Sequence, residues 1–275
     1  MSFYTKLDAA WQKSGSLLCV GLDPDLRRIP AAFSREERPI LAFNRCIIDA
    51  TADLVCAYKP QIAYYAAEGA EDQLVATFDY LRDYYPEIPI ILDAKRGDIG
   101  STARQYAREV FERYGADAVT VNPYLGRDAL EPFLGYRDRG VFVLCRTSNP
   151  GSNDLQMVAD HHGKPLYQRL AEKAVREWNG YGNVALVMGA SSPEAIAWVR
   201  SLTLAMPLLI PGIGVQGGDL KAVLGAGLVG SGDGLLINAS RSILYTASGK
   251  GWEEAMRAEA VRLHAAINHC RESSD

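Results

Sequence analysis

Residues 88–99 read IPIILDAKRGDI, in which a run of strand-forming apolar residues ends in alternating acidic and basic side chains. The next apolar side chains recur at the spacing of one face of an α-helix, at Ala103, Tyr106, Ala107, Val110 and Phe111. The segment therefore predicts a buried strand followed by an amphipathic helix, which is the repeating unit of α/β proteins with parallel sheets.

The same alternation of strand and helix continues in both directions along the chain. Eight short aliphatic runs predict strands at Leu17–Asp23, Leu54–Lys59, Ile88–Lys95, Ala118–Pro123, Val141–Ser148, Val184–Ala190, Leu208–Gly214 and Leu235–Ala239. Eight such units in 275 residues predict an α/β fold of the (β/α)8 or TIM-barrel type, as a single domain over residues 1–275. A doubly wound open sheet is the alternative. The polar residues 149–164 predict a long loop after the fifth strand, of the kind that forms lids.

The composition limits the partners and the cellular setting. With 29 basic and 33 acidic residues the net charge is −4, so no overall positive field attracts nucleic acid or an anionic membrane. The five cysteines are an odd number without a C-x-x-C pair, which indicates buried free thiols. The first residues lack a secretory pattern, and no apolar run approaches the roughly 20 residues of a membrane span. We therefore expect a cytoplasmic protein.

Charged side chains follow the third predicted strand, where a barrel carries its active groups. Asp93 and Lys95 are two residues apart, so both should point into the barrel mouth. Lys59 ends the second predicted strand, and Asp98 lies near the start of the next helix. Alternating charges keep one another ionised, which suits a reaction that loses a carboxylate as CO2 and leaves a carbanion beside an ammonium. Spacing alone leaves an inert ion-pair network as the alternative.

Two glycine- or arginine-containing turns follow the last two predicted strands, where barrels bind phosphate. Residues 211–219 read PGIGVQGGD, and glycines such as Gly212 and Gly214 let backbone N–H groups approach an anion. Residues 238–242 read NASRS, which places the Arg241 guanidinium beside a helix start. The Gly-x-Gly pattern is not a dinucleotide fingerprint, because the acidic partner and βαβ setting of a Rossmann domain are absent.

The segment Asp93–Ile99 resembles the D-x-K-x-x-D-I signature of the orotidine 5′-phosphate decarboxylase family, and the extended loops resemble its longer branch. The resemblance covers residues from about 23 to 241. It implies decarboxylation of orotidine 5′-phosphate to UMP and CO2 in de novo pyrimidine biosynthesis, without metal or cofactor. The implied catalytic residues are Lys59, Asp93, Lys95 and Asp98. The reaction would pass through a carbanion at C6 that Lys95 protonates.

The resemblance also implies how the substrate and product, orotidine 5′-phosphate and UMP, are bound. Asp23 and Asn122 would lie near the ribose and the charged array, Ser148 would contact the pyrimidine, and Gln216 and Arg241 would hold the phosphate. The full set of implied substrate-binding residues is Asp23, Ile99, Thr102, Asn122, Ser148, Pro211, Gly212, Gly214, Gln216 and Arg241.

A homodimer with shared active sites is a further implication. In the family, residues matching Asp98, Ile99 and Thr102 reach the site of the neighbouring subunit. No nucleic-acid or membrane partner is expected.

Two other functions stay open at this point. One is a magnesium-dependent sugar-phosphate decarboxylase of the same superfamily, such as 3-keto-gulonate 6-phosphate decarboxylase, which has a similar charged strand. The other is a non-catalytic nucleotide-binding barrel, which the presence of both Asp93 and Lys95 disfavours. No metal site is expected, because the histidine pairs His161/His162 and His264/His269 are poorly spaced for zinc.

Overall fold

A computed structural model of the protein describes residues 1–213 and 219–272. Within these residues eight strands run parallel in the order β2-β1-β8-β7-β6-β5-β4-β3. Parallel bridges between Tyr58 and Ile90 and between Gln61 and Asp93 join β2 to β3 and close the sheet. The strands are β1 (Leu18–Leu22), β2 (Ala57–Pro60), β3 (Ile91–Arg96), β4 (Ala118–Val121), β5 (Gly140–Arg146), β6 (Val184–Met188), β7 (Leu208–Pro211) and β8 (Leu235–Ala239). The predicted barrel is confirmed, and the open sheet is wrong.

Helices cover the outside of the barrel and separate the strands along the chain. Within the described residues the α-helices are α1 (Phe3–Ser14), α2 (Pro39–Thr51), α3 (Ile62–Ala66), α4 (Glu71–Tyr84), α5 (Gly100–Arg108), α6 (Arg127–Leu134), α7 (Asn153–Gln156), α8 (Leu166–Lys173), α9 (Pro193–Thr203), α10 (Leu220–Gly227), α11 (Arg241–Leu244) and α12 (Trp252–Glu272). Single π-helical turns, Glu109–Arg113 and Ala174–Trp178, continue α5 and α8. The remaining short turns are 3-10 helices at Phe33–Arg35, Pro123–Leu125 and Pro150–Ser152.

All eight strands lie where they are predicted, but most of them begin or end at a different residue. The third strand begins at Ile91 rather than Ile88, because Pro89 has no N–H to give to a ladder and contributes only its carbonyl, to the Tyr58 N–H. The second strand begins at Ala57 rather than Leu54. Several strands end one or two residues before the predicted bound, where the chain turns outward at the barrel mouth. The bounds of β8 match the prediction.

The segment after β5 is more ordered than the predicted long loop. It contains the 3-10 turn Pro150–Ser152 and helix α7, and its distal part closes through a bridge between Ala159 and Pro165. The buried Arg146 guanidinium organises it by donating hydrogen bonds to three side-chain oxygens, those of Ser152 (2.6 Å), Asn153 (2.6 Å) and Gln156 (3.2 Å). A cation at the end of β5 therefore fixes the start of this segment.

The hydrophobic core lies inside the barrel and between the barrel and its helices. Every residue of β1, β6 and β8 is buried, as expected for parallel strands covered on both faces. Helix α1 covers the amino-terminal end of the barrel, where Phe3 packs edge-on against Phe142 at 5.6 Å between ring centroids. None of the helices in residues 1–213 and 219–272 combines the length and the apolar character that a membrane crossing requires.

Candidate active site at the mouth of the barrel

The end of β3 departs from the regular strand that the sequence predicts. The register with β4 moves from Leu92 opposite Val119 to Arg96 opposite Val121, so four residue steps on β3 face two on β4. Within this bulge Lys95 has φ +45°, a left-handed conformation that residues with a Cβ rarely adopt. The turn folds the Lys95 side chain back along the strand, and its Nζ lies 2.6 Å from Asp93 Oδ1.

Asp93 is the centre of the charged cluster. Its Oδ2 accepts a hydrogen bond from Lys59 Nζ at 2.9 Å, and its Oδ1 accepts one from Lys95 Nζ and another from Thr120 Oγ1 at 2.8 Å. Lys59 and Asp93 are buried, with 4% and 7% of their surface exposed, whereas 47% of the Lys95 side chain is exposed. The cluster thus has one cation inside the barrel and one facing solvent.

The electrostatics of this cluster keep Asp93 and Lys59 charged. Burial alone would raise the pKa of the Asp93 carboxyl, but the Lys59 and Lys95 ammonium groups outweigh it and hold the pKa below its ordinary value. Burial alone would lower the pKa of Lys59, but Asp93 and Asp23 outweigh it and raise the pKa above its ordinary value. Asp93 is therefore a carboxylate at neutral pH and a poor general base.

Asp98, the fourth predicted catalytic residue, stands apart from this cluster. Its Oδ1 accepts a hydrogen bond from the Ile99 backbone N–H at 2.7 Å, and it has no ion-pair partner among residues 1–213 and 219–272. Ile99 is 57% exposed and Thr102 is exposed as well. Three members of the predicted array meet within one chain, and the fourth, Asp98, is half-buried and makes no hydrogen bond or ion pair with them.

A cavity opens above Asp93 and brings several predicted residues together. It is lined by Asp23, Lys59, Asp93, Pro211, Gly212, Ile213, Asn238, Ser240, Arg241 and Ser242. Six of the predicted site residues are among these ten. Gly214 and Gln216 lie outside the described residues. The Arg241 guanidinium has no ion pair or hydrogen bond with any residue in the described ranges, so it can accept an anion there.

Two buried side-chain oxygens in this cavity lack a hydrogen-bond partner among the described residues. They are Oδ1 of Asp23 and Oδ1 of Asn238. Because buried polar atoms are nearly always hydrogen-bonded, both are candidates to accept hydrogen bonds from ligand hydroxyl groups. Burial raises the pKa of Asp23 despite the opposing effect of Lys59. Asn238 is a residue that the site prediction missed, although it precedes Arg241 at the end of the eighth predicted strand.

A glycine in β1 allows the cavity wall to form. A Cβ added to Gly21 would lie 1.8 Å from Ser240 Oγ and 3.4 Å from Asp23 Oδ1. A side chain at position 21 would therefore displace Ser240, which lines the cavity together with Asp23 and Arg241.

Four predicted substrate contacts lie outside the cavity: Ile99 and Thr102, described above, and Asn122 and Ser148. Asn122 is exposed, and its Oδ1 caps the turn Pro123–Leu125 by accepting the Tyr124 N–H at 3.0 Å. Ser148 lies against the end of β6, where a Cβ on Gly189 would be 2.6 Å from the Ser148 nitrogen. Their roles in substrate binding stay predictions.

Thr120 is the second residue that the site prediction missed. It is the one polar residue of β4, whose sequence is AVTV, and it is 1% exposed. A single polar residue in an otherwise apolar, buried strand is the sequence feature that could have indicated a role for Thr120. No group of three or more His, Cys, Asp or Glu side chains is arranged to hold a metal ion within residues 1–213 and 219–272.

Known proteins similar to this chain are orotidine 5′-phosphate decarboxylases, the family that the charged signature resembles. The family model described as orotidine 5′-phosphate decarboxylase / HUMPS family matches residues 16–255. A curated orotidine 5′-phosphate decarboxylase of Azoarcus sp. (strain BH72) is 56% identical over 271 residues, which cover 98% of this chain and 100% of that protein. The Janthinobacterium sp. (strain Marseille) protein of the same name is 57% identical over 268 residues, 98% of each chain.

A solved structure of Leishmania donovani OMP decarboxylase superposes on the barrel with a TM-score of 0.85 at 42% identity, covering 99% of both chains. Full-length relatives, the shared barrel and the charged signature at its mouth all agree. The chain belongs to the orotidine 5′-phosphate decarboxylase / HUMPS family.

Proposed function

We propose that this chain converts orotidine 5′-phosphate into UMP and CO2 without a metal ion or cofactor, through a C6 carbanion that Lys95 protonates. The decarboxylase activity, a step in making UMP, follows from family membership and from relatives of that name that match the whole chain. The observation that supports the residue roles is the buried Asp93 carboxylate between two ammonium groups, beside a cavity lined by Arg241.

Substrate binding begins at the phosphate. Arg241 supplies a guanidinium, and backbone N–H groups near Gly212 add donors, with Gly214 and Gln216 as further predicted contacts. The buried Oδ1 of Asp23 accepts a hydrogen bond from a ribose hydroxyl, and Ser148 contacts the pyrimidine. These contacts place the carboxylate of the substrate toward Asp93.

The chemical step uses the fixed charges of the cluster. Binding energy from the phosphate offsets the repulsion between the substrate carboxylate and Asp93, which decreases as CO2 departs. The C6–CO2 bond breaks and its electron pair stays on C6, where the Lys95 ammonium stabilises it. Lys95 then transfers one proton to C6, becomes a neutral amine and is reprotonated by solvent. Lys59 keeps Asp93 ionised and in place.

A homodimer with shared active sites belongs to the same proposal. Asp98 has no ion-pair partner within the described part of its own chain, and exposed apolar side chains follow strands β3 and β4 at the barrel mouth. Those side chains are Ile99 (57% exposed), Tyr124 (77%) and Leu125 (46%). A two-fold interface would cover this apolar surface and bring Asp98 and Thr102 to the cavity of the partner.

We infer a cytoplasmic setting from the thiols. Cys19, Cys56 and Cys145 are buried and reduced, which is the usual state of cysteines in a reducing compartment.

A spectrophotometric assay tests the function. Purified protein should turn over orotidine 5′-phosphate, measured as loss of the orotate chromophore, and EDTA should leave the rate unchanged. Loss of activity in EDTA that magnesium restores would support the sugar-phosphate decarboxylase alternative. Tight binding of UMP without any turnover would support the non-catalytic barrel.

A further inference from the structure

The Thr120 hydroxyl fills a gap in the sheet between β3 and β4. Its Oγ1 accepts hydrogen bonds from the backbone N–H groups of Ala94 and Lys95, both at 3.0 Å, and donates to Asp93 Oδ1 at 2.8 Å. A hydroxyl has one proton and two acceptor lone pairs, so these three contacts use its full hydrogen-bonding capacity. The hydroxyl therefore links the backbone of Lys95 to the carboxylate of Asp93.

This link lies where the backbone ladder fails. The regular pairing of β3 with β4 is interrupted between Leu92 and Arg96. The backbone N–H groups of Ala94 and Lys95 lie in this interruption, where the ladder offers them no carbonyl. Without another acceptor the part-buried N–H groups of Ala94 and Lys95 would be unpaired, beside a backbone conformation that residues with a Cβ disfavour. Thr120 Oγ1 replaces the missing carbonyl for both of them.

The residue after the bulge is fixed from the other side. The Arg96 guanidinium pairs with both carboxylate oxygens of Glu109 at 2.9 to 3.1 Å and lies over the Tyr106 ring, 4.5 Å from its centroid. The Arg96 carbonyl accepts the Asn122 N–H at 2.8 Å. Arg96 is thus held on the outer side of the bulge, while Thr120 contacts the two residues before it.

We propose that Thr120 is a positioning residue for Lys95. Its hydroxyl holds Lys95 in the left-handed turn that brings Nζ to 2.6 Å from Asp93 Oδ1, and it orients that carboxylate oxygen. Thr120 is 1% exposed, so it acts through its neighbours and not on the substrate. The inference rests on the role proposed above for Lys95.

Replacement of the hydroxyl tests the inference. Thr120→Val keeps the side-chain shape but removes the acceptor for two N–H groups and one donor to Asp93. We expect kcat to fall on the order of 10- to 100-fold, the usual effect of losing hydrogen bonds to a charged group. KM for orotidine 5′-phosphate and Kd for UMP should change by no more than about threefold, because the phosphate contacts are intact. Thr120→Ser keeps Oγ and should restore kcat to within about threefold of wild type.

Thr77→Val is the matched control. Thr77 is also fully buried, and its hydroxyl accepts from Asn44 Nδ2 at 3.0 Å and donates to the Gln73 carbonyl at 2.8 Å, in α4. This variant should lower Tm and leave kcat unchanged. If Thr120→Val does not fold, Thr120→Ala replaces it in the comparison with Thr120→Ser.

Three results would overturn the inference: near-normal kcat in the folded hydroxyl-free variant, an equal loss in Thr120→Ser, or an equal loss in Thr77→Val. A Lys95→Ala variant assayed in parallel separates the two proposals. If Lys95→Ala is inactive while Thr120→Val is normal, only the role of Thr120 fails. If Lys95→Ala is active, the proposed mechanism fails, and the positioning role of Thr120 fails together with it.

Discussion

Lys59 Nζ lies 2.9 Å from Asp93 Oδ2, whereas Lys95 Nζ contacts the other carboxylate oxygen, Oδ1, at 2.6 Å. The two lysines share one carboxylate, so the three groups together carry a charge of +1. On the proposed mechanism, this arrangement accepts an anionic substrate and keeps a negative charge next to the departing CO2.

Lys95→Ala should abolish decarboxylation, since it removes both the ammonium that stabilises the carbanion and the proton donor. The loss should be at least several kcal/mol of transition-state stabilisation, on the order of a thousandfold or more in kcat. Circular dichroism and calorimetric UMP binding should show a folded protein that still binds the product. Near-normal turnover would remove Lys95 from the mechanism.

Arg241→Ala should weaken binding of the phosphorylated substrate and scarcely change turnover of the nucleoside orotidine. A charge-assisted contact to phosphate contributes several kcal/mol, so KM for orotidine 5′-phosphate should rise roughly 100-fold. Steady-state kinetics with both substrates gives the comparison, and Arg35→Ala, at an exposed arginine in another turn, is the control. Equal losses for both substrates would exclude Arg241 from the phosphate site.

Mixed dimers test whether Asp98 acts across the interface. Lys95→Ala and Asp98→Ala homodimers should each be nearly inactive, but a mixed dimer has one site with both an intact Lys95 and an intact Asp98. Random reassortment of equal amounts makes about half of the dimers mixed, so about a quarter of wild-type activity should return. The variants are denatured and refolded together, with each refolded alone as control. No recovery in mixed dimers proven by mass spectrometry would place Asp98 in its own chain's site.

Stability at low pH should report the charge of Asp93. Its pKa in the folded protein lies below the value of about 3.9 in an unfolded chain, so its contribution is present above pH 3.9 and is lost as pH falls toward the folded value. The difference in unfolding free energy between wild type and Asp93→Asn should therefore narrow by roughly 1 kcal/mol from pH 6 to pH 3.

Urea titrations at the two pH values measure this difference. Asp79→Asn is the control, because the surface pair of Asp79 with Arg82 should contribute little at either pH. If the difference in unfolding free energy between wild type and Asp93→Asn is the same at pH 6 and pH 3, Asp93 is not held ionised in the folded protein.

The eight strands and their closure into a barrel could be predicted from sequence, because buried parallel strands appear as short apolar runs separated by helical segments. The family signature at Asp93–Ile99 was sufficient to predict the decarboxylase activity, and family membership confirms this prediction. Strand bounds were less accurate, since Pro89 delays the start of β3 and the turns at the mouth end several other strands before the apolar pattern ends.

The local geometry of the site could not be predicted in the same way. A spacing of two residues places Asp93 and Lys95 on one face of a regular strand, whereas their contact depends on a bulge and on a hydroxyl 25 residues away. The order in residues 149–156 depends likewise on a tertiary feature, the burial of Arg146 among three polar side chains. Both features arise from contacts between strands and loops that periodicity does not encode.

The exposure of Lys95 has an isotopic consequence. With 47% of its side chain in contact with solvent, its ammonium exchanges hydrogens with water between turnovers, in contrast to the buried Lys59. On the proposed mechanism, the hydrogen that replaces the carboxylate therefore comes from water by way of one lysine. UMP made in D2O should carry deuterium at C6 and at no other carbon, so that the position of the label in the product identifies the atom on which the electron pair was left.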